Sequence, residues 1–312
     1  MRLNRLLLLA CFVFPSIGFA QNSTNWDVGI KLGAADGLCA IGGINTAGKP
    51  SIINIQPSQI RWDFGVYARY KLSSRFSVAA NFDYLRLQGF DSLSKVTVIR
   101  DRNLNYRNDI AEASIRLEWT FFQITDIGGY YNYKNSFNAF LYVGAGIFHM
   151  NPEAMITESN PSKNIGYSYG DYVPLRTLTT EGEARYSLIQ ATIPMGVGFH
   201  YTINRTYILG MDFGWNKTFT GYIDDVYGKY PSYGVDVNLP NPYTKYMTNQ
   251  SFFVPGITKA ELAQYGPGSP RGDGKDGSWI TAVVTLGIVI HSKSSTASRR
   301  KEYYKYKSRA SF

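Results

Sequence analysis

The sequence predicts an all-β fold, an eight-stranded antiparallel transmembrane β-barrel with short periplasmic turns and long extracellular loops. Eight segments read as strands, the gaps between them alternate strictly between short and long, and the strands separate apolar from polar residues with a period of two. In an antiparallel meander, alternate connections fall at opposite ends. All short turns therefore share one end, which is the plan of a bacterial outer-membrane barrel.

The strands and their connections can be assigned in order. The strand-like segments are Asn25–Asp36, Trp62–Leu72, Phe76–Gln88, Asp109–Phe122, Phe137–His149, Tyr186–Ile203, Thr206–Phe219 and Ser278–His291. The short gaps are Ser73–Arg75, Gln123–Ser136 and Asn204–Arg205, and the long gaps are 37–61, 89–108, 150–185 and 220–277.

Successive residues of a strand face opposite sides, so each segment has two faces. The apolar residues are even-numbered in 26–32 and odd-numbered in 109–122. They are odd-numbered again in 186–203 and 206–219, and even-numbered in 278–291. These apolar faces are long enough for the lipid-facing band of about 25 Å that outer-membrane barrels present.

The polar faces decide between a membrane barrel and a soluble one. A soluble barrel of the lipocalin kind keeps its apolar face inside. The opposite face here carries charges of both signs, which suit a narrow, filled interior better than a small ligand cavity. Eight strands leave a bore just wide enough for side chains, so we expect the inward charges to pair and close it. The candidate lumen charge network is Arg69, Lys71, Glu112, Arg116, Glu118 and Asp212.

The amino-terminal residues read as a secretory signal. Arg2 and Arg5 precede an apolar core, Leu6–Phe14, and small residues follow before Gln21. Cys11 forms a loose lipobox, but cleavage there would leave too short an apolar core. The expected organisation is a signal peptide at 1–20, one outer-membrane barrel domain at 21–291 and a basic periplasmic tail at 292–312.

The net charge of +9 is concentrated in the tail. Residues 292–312 hold seven Lys or Arg residues and one Glu, a net charge of +6, so the fold itself is nearly neutral and no nucleic-acid surface is indicated. An even number of strands places both chain ends on the periplasmic side. The tail is therefore a candidate partner contact, and its proposed contact residues are Arg299, Arg300, Lys301, Tyr303, Tyr304 and Lys305.

Sites for chemistry are not indicated. His149 and His200 are expected at strand ends without ligand spacing, and Cys39 is expected to be a small buried residue. In Gly266–Gly277, Lys275 lacks the following Ser or Thr of a phosphate loop, and Arg271-Gly272-Asp273 reads as a turn. We therefore expect no enzyme activity, no metal and no cofactor.

Five blocks together resemble one family. They are Asp101–Ile110, Tyr142–Pro152, Leu178–Gly182, Ile193–Phe199 and Thr220–Val226. In combination they are similar to the PorG-like outer-membrane barrels of the Bacteroidota, which are grouped under a domain of unknown function. The long final loop and the tail depart from that pattern.

The resemblance implies an accessory subunit of the type IX secretion system in the outer membrane, associated with periplasmic ring proteins. It implies no catalytic residues. We expect a protein that contacts outer-membrane lipid and fixes partners in place, and the blocks at strand ends to be loop packing that caps the barrel. Two alternatives remain open, a small transport pore and a surface adhesion protein that uses its long loops.

Overall fold

The computed structural model describes residues 26–42, 57–125, 127, 135–157, 168–231 and 242–290. The predicted signal peptide and the basic tail lie outside these ranges. The strands are β1 (Trp26–Leu38), β2 (Arg61–Lys71), β3 (Phe76–Phe90), β4 (Asn105–Thr125), β5 (Ser136–His149), β6 (Glu153–Met155), β7 (Tyr172–Pro174), β8 (Ile189–Ile203), β9 (Tyr207–Thr218) and β10 (Ser278–Ile290). Three short helices accompany them, α1 (Thr97–Arg102), α2 (Pro242–Thr248) and α3 (Lys259–Leu262). Within the described ranges, no helix has the length and apolar character needed to cross a bilayer.

Eight of the strands close into a ring. The hydrogen-bonded order is β1–β2–β3–β4–β5–β8–β9–β10, and β10 lies beside β1. Neighbours in the ring are antiparallel, for example Val28↔Ala68 in β1–β2 and Met211↔Val284 in β9–β10. The predicted fold class, a closed eight-stranded antiparallel barrel, is confirmed.

Three predicted strand boundaries are wrong by three residues or more, and one of them is the end of β4, which is Thr125 instead of Phe122. β4 begins at Asn105 instead of Asp109, because it stays paired with β3 as far as Phe90↔Asn105. Tyr186 precedes the strand that was predicted to begin with it. Its ring stacks on Tyr222 at 4.6 Å and its hydroxyl donates to Asp225, so this segment belongs to the loops and β8 begins at Ile189.

The predicted loop 150–185 also contains two strands. β6 pairs with β4 through Arg107↔Glu153, and β7 pairs with β6. This small sheet continues β3 and β4 beyond the barrel on the extracellular side.

The short turns are tight. Between β8 and β9, Asn204 and Arg205 both have positive φ, at 50° and 58°, as the turns that match strand twist require. Between β2 and β3, the Ser73 hydroxyl accepts a hydrogen bond from the Phe76 amide at 3.0 Å. All long connections lie at the opposite end, so one end of the barrel has short turns and the other has long loops.

The outer wall is an apolar belt with aromatic borders. Trp119, Tyr207 and Trp215 are exposed on this wall, at 44%, 59% and 42%, and Phe121, at 48%, follows the last β3–β4 pair at the short-turn end. Trp26 and Tyr70 pair at 4.9 Å near the short turns, and Trp62 and Tyr84 pair at 5.3 Å near the long loops. A belt between two aromatic girdles is the surface that a barrel presents to lipid.

The described parts of the four long loops fold over the extracellular end of the barrel, and we call them the cap. The cap and the upper bore share one apolar core, formed by Ala35, Cys39, Ile41, Leu85, Leu87, Leu104, Tyr106, Ile110, Phe148, Met150, Ile223, Val226 and Trp279. A second core within the cap contains Ala154, Ile156, Val173, Leu175, Leu178, Tyr246 and Met247. The cap therefore has one packed interior that it shares with the bore and one of its own.

Candidate functional site

The lower bore, nearest the short turns, is filled by a group of polar side chains that we call the charge layer. Its members are Asp27, Lys31, Arg69, Lys71, Asp83, Arg116, Glu118, His200 and Asp212. They project inward because they occupy the polar face of each strand. Six of the eight barrel strands contribute at least one of them.

Arg69 is the centre of the charge layer. Its Nε lies 2.7 Å from Oε2 of Glu118, and its Nη1 lies 3.2 Å from Oδ1 of Asp27. The same guanidinium lies 2.8 Å from Nδ1 and 3.0 Å from Nε2 of His200. The side chains of Arg69 and Glu118 are only 5% and 7% exposed, so either would leave a buried, uncompensated charge if the other were removed.

A second set of contacts joins three strands through Asp83. Its Oδ1 lies 2.6 Å from Nζ of Lys31, and its Oδ2 lies 3.4 Å from Nη2 of Arg116. The Arg116 guanidinium also lies 4.8 Å from the centre of the Tyr142 ring, which approaches from β5. These contacts hold the wall together across the bore.

The remaining predicted lumen residues have looser surroundings. Lys71 lies at the mouth, 4.0 Å from Asp27, and its side chain is 39% exposed. Asp212 lies 3.8 Å from His200. Glu112 is 1% exposed, and its Oε1 has no hydrogen-bond partner within the part of the chain that the structure describes.

His200 was placed wrongly by the sequence analysis. It was expected at a strand end, but it lies within β8 and faces the bore beside Arg69. The apolar–polar alternation of β8 gives its facing, but alternation does not indicate which side chain stands opposite. Its partnership with Arg69 therefore had no signal in the sequence.

Aromatic side chains of β5 close the bore against a wall of glycines. A Cβ added to Gly196 or to Gly214 would lie 2.6 Å from the Tyr142 hydroxyl, and one added to Gly198 would overlap the Phe140 ring. The glycines therefore provide the space that these rings fill. Above them, Trp279 is fully buried with its ring 5.1 Å from Phe148, where the apolar core begins.

The cap is fastened by buried ion pairs that sequence reasoning missed. Asp91 accepts hydrogen bonds from Arg102 at 2.7 and 2.9 Å and from the Gly42 and Leu104 amides. Arg102 also donates to the carbonyl oxygens of Arg271 and Ala40. One arginine thus connects the first, second and fourth long loops.

Arg271 forms the second fastening. It is 2% exposed, and its guanidinium contacts Glu181 at 3.3 Å and Asp225 at 3.7 Å. Glu181 in turn accepts from the Tyr227 and Gly228 amides. The Arg-Gly-Asp tripeptide that begins at Arg271 is therefore a structural turn whose arginine lies inside the cap.

Asp224 is a buried carboxyl group within the cap. It accepts hydrogen bonds from the amides of Ile41 at 2.9 Å and Val226 at 3.3 Å. Burial raises its pKa to about 7, although the Ile41 amide and Arg102 oppose that rise. Asp225, beside it, also has a raised pKa because it is buried.

The resembling blocks form much of this cap. Asp224 and Asp225 lie in the Thr220–Val226 block, Glu181 lies in Leu178–Gly182, and Arg102 lies in Asp101–Ile110. Their side chains are turned inward, towards other loops. These three blocks therefore carry packing that caps the barrel, whereas Ile193–Phe199 lies within β8 and most of Tyr142–Pro152 lies within β5.

A polar vestibule of about 110 Å³ opens at the short-turn mouth. Lys71, Ser73, Ser74, Gln123 and Asn138 are among its lining residues. Arg69 and Glu118 form its floor, so the charge layer separates it from the upper bore. Among the residues that the structure describes, no cluster of three or more His, Cys, Asp or Glu side chains is placed to hold a metal ion. The candidate tail contacts, Arg299 to Lys305, lie outside the described ranges.

A closed antiparallel barrel with an apolar belt, polar bore and asymmetric ends defines a bacterial outer-membrane barrel protein. The chain belongs to the family described as Domain of unknown function (DUF6089), which it matches over residues 6–241. That match ends before β10 and the tail.

The comparison with solved structures finds small barrels. Neisserial surface protein A is 9% identical with a TM-score of 0.35, and the alignment covers 86% of this chain and all of that one. The outer membrane protein OprG from Pseudomonas aeruginosa is 8% identical with a TM-score of 0.34, covering 87% of this chain and 98% of that one. Ail of Yersinia pestis is 9% identical with a TM-score of 0.31, covering 85% and 99%. No curated protein matches the sequence. The fold assignment rests on the strand pairing of this chain.

Proposed function

We propose that the protein is a non-enzymatic outer-membrane anchor or assembly subunit of a type IX protein secretion complex. In this role the barrel fixes a position in lipid, and its short turns and tail bind periplasmic ring components. The resemblance to PorG-like barrels supports the choice of complex.

The filled bore is the observation that carries the anchor proposal. The Arg69–Glu118 and Lys31–Asp83 pairs occupy its lower half, and Trp279 and Phe148 pack in its upper half. An interior filled by side chains has no continuous water path, which disfavours passage of solutes. A barrel filled in this way is suited to hold other molecules at the membrane.

Co-purification tests the proposal. The full-length protein, tagged in a loop and extracted in mild detergent, is expected to bring down the periplasmic ring proteins. Truncation after Ser292 is expected to lower their yield, and high salt is expected to weaken the same contact in the intact protein, because exposed charges are screened. Replacing Arg299 and Arg300 with Lys retains the charge and is the matched control.

Two results would count against this function. Ring proteins absent from the purified full-length complex would remove the secretion role. If truncation changes neither the yield of ring proteins nor secretion, the tail is not the contact. The barrel or its short turns would then be the contact.

Surface adhesion is the second candidate, and the folded cap is the observation that favours it. The cap exposes Tyr169 at 66%, Phe252 at 50% and Val98 at 50%. Large exposed side chains on an ordered surface suit contact with another molecule. Replacing 221–276 with a short turn would abolish adhesion and spare secretion if adhesion were the function.

A further inference from the structure

We propose that the free edge of β4 below the barrel rim, Phe121–Thr125, binds an extended strand of a periplasmic protein by β-strand addition. We call these five residues the open edge. The inference deepens the proposed function and rests on it for the existence of a periplasmic partner. It concerns a surface within the described residues and does not involve the tail.

The open edge begins where β3 ends. The last pair of the β3–β4 ladder is Phe76↔Trp119, and the Thr120 amide donates to the Arg75 carbonyl at 2.8 Å. Beyond that point β4 is paired to β5 alone, from Phe122↔Ala139 to Thr125↔Ser136. On the side away from β5, no strand among the described residues pairs with it. Its outward N–H and C=O groups are therefore available to another strand.

The same residues project past the barrel. Between Glu112 and Glu118, every second residue of β4 is buried in the bore, but all five residues from Phe121 to Thr125 are exposed. Exposure of both faces means that the strand has passed the rim. It has also passed the aromatic girdle at Trp119, so it stands at the periplasmic surface of the membrane or beyond it.

The open edge lacks the usual protection of edge strands. Natural edges are guarded by charged residues, proline or a covering segment, because an unguarded edge pairs with other chains. Phe-Phe-Gln-Ile-Thr has no charge and no proline, and Phe121, Phe122 and Ile124 are 48%, 48% and 44% exposed. The register shift between Thr120 and Phe122 lies only at its base. An edge that is left unguarded in this way fits a partner strand that covers it.

The surroundings specify the partner's chemistry. Gln123 and Thr120 line the vestibule, so a strand added to the open edge would turn alternate side chains towards that mouth. Lys71 lies there, 39% exposed and 4.0 Å from Asp27, and its ammonium group can donate to a carboxylate of the added strand. The outward face would meet Phe122 and Ile124. We therefore infer a segment that alternates apolar residues with polar ones and carries an Asp or Glu towards Lys71.

Photo-crosslinking in cells tests this geometry. A benzoylphenylalanine placed at Gln123 and, separately, at Thr125 is expected to form an adduct with one periplasmic protein. Mass spectrometry of the adduct should show the attachment point moving by two residues when the probe moves by two, because paired strands keep register. The same probe at Arg205, an exposed residue of the β8–β9 turn, is the matched control and should not give that adduct.

Each other outcome overturns the inference. Adducts only with lipid would make the open edge part of the membrane girdle. Adducts with a second copy of this chain would make it a dimer contact. An adduct with a periplasmic protein whose attachment point does not shift in register would mean a contact without strand addition.

Proline substitutions give a second readout. Q123P and I124P each remove one amide donor, and because successive amides point to opposite neighbours, only one of them faces the open edge. That variant should lose the adduct formed from Thr125, and the other should retain it if β4 and β5 remain paired. Retention of the adduct in both folded variants would contradict strand addition.

The two proposals can fail separately. If ring proteins co-purify but the open edge yields no register-shifting adduct, the secretion role stands and the edge inference falls. If the adduct forms with a periplasmic protein outside any secretion complex, the edge inference stands and the secretion role falls.

Discussion

Asp224 illustrates how the cap alters a single carboxyl group. It is enclosed by loops and receives two backbone amides, yet burial still raises its pKa to about 7. A raised pKa means that the folded cap binds the proton more tightly than the unfolded chain does. Its contribution to stability is therefore full below about pH 4, the ordinary range of Asp, and is lost as pH rises through about 7.

We expect the D224N substitution to flatten this dependence. In the parent protein, a protease should cleave the cap faster at pH 9 than at pH 5. In D224N, the cleavage rates at pH 5 and pH 9 should be nearly equal. Glu261→Gln is the control, because the pKa of that exposed carboxyl is lowered by its hydrogen bonds with Thr258 and it stays ionised throughout this range. A D224N variant that retains the parent's pH dependence would show that another group is responsible.

A substitution at Met211 tests whether this face of β9 contacts lipid. Met211 lies near the middle of β9, paired with Val284 and Phe199, and is 42% exposed on the outer wall. Met211→Arg should lower the free energy of unfolding in vesicles by about 2–4 kcal/mol, since a cation at the bilayer midplane is poorly solvated. Tyr207→Arg, on the same face at the end of the strand, should cost about 0–1 kcal/mol. Equal stability losses at both positions would mean that the belt is wrongly placed.

Among the elements, the β9–β10 loop depends on Arg271. Replacing it with Met leaves Glu181 and Asp225 buried near each other without their cation. Breaking a buried pair from one side costs about 3–5 kcal/mol, so the loop should open while the barrel stays folded. Hydrogen exchange should rise in 219–231 and 242–277, with unchanged heat-modifiability of the barrel. Lys275→Met, at a residue 52% exposed, is the control. Unfolding of the whole barrel in R271M would show that cap and wall are one cooperative unit.

The elements also mark the limit of sequence reasoning. Alternation gave the facing of β4 correctly as far as Trp119, because the pleat imposes a period of two on any half-buried strand. The register shift between Thr120 and Phe122 then breaks the alternation, which the sequence did not indicate. Alternation did not indicate that β4 runs from Asn105 to Thr125, since those ends depend on pairing with β3 as far as Phe90↔Asn105 and with β5 as far as Thr125↔Ser136. The Arg102–Asp91 pair joins residues within one irregular loop and the Arg271–Glu181 pair joins two loops, so no strand periodicity reports them.

For the molecule as a whole, the charge layer of the lower bore and the apolar core of the upper bore predict that the barrel does not conduct ions. We expect the purified protein to give no stable conductance steps of porin size in a planar bilayer. Replacing 221–276 with a short turn removes part of the upper core but leaves the Arg69–Glu118 and Lys31–Asp83 pairs in place. That variant should also give no stable conductance steps. Regular steps from the parent protein would favour the transport pore instead.

β4 also has a mechanical consequence. It is one continuous strand of 21 residues, about 70 Å when extended, from the cap through the membrane to the periplasmic hairpin. A pull on the hairpin along that axis loads the β3–β4 and β4–β5 ladders in shear. Their hydrogen bonds, spread from Phe90↔Asn105 to Thr125↔Ser136, then share the force instead of breaking one at a time. A partner bound at Phe121–Thr125 would therefore pull on β4 in shear, the direction in which its hydrogen bonds resist force best.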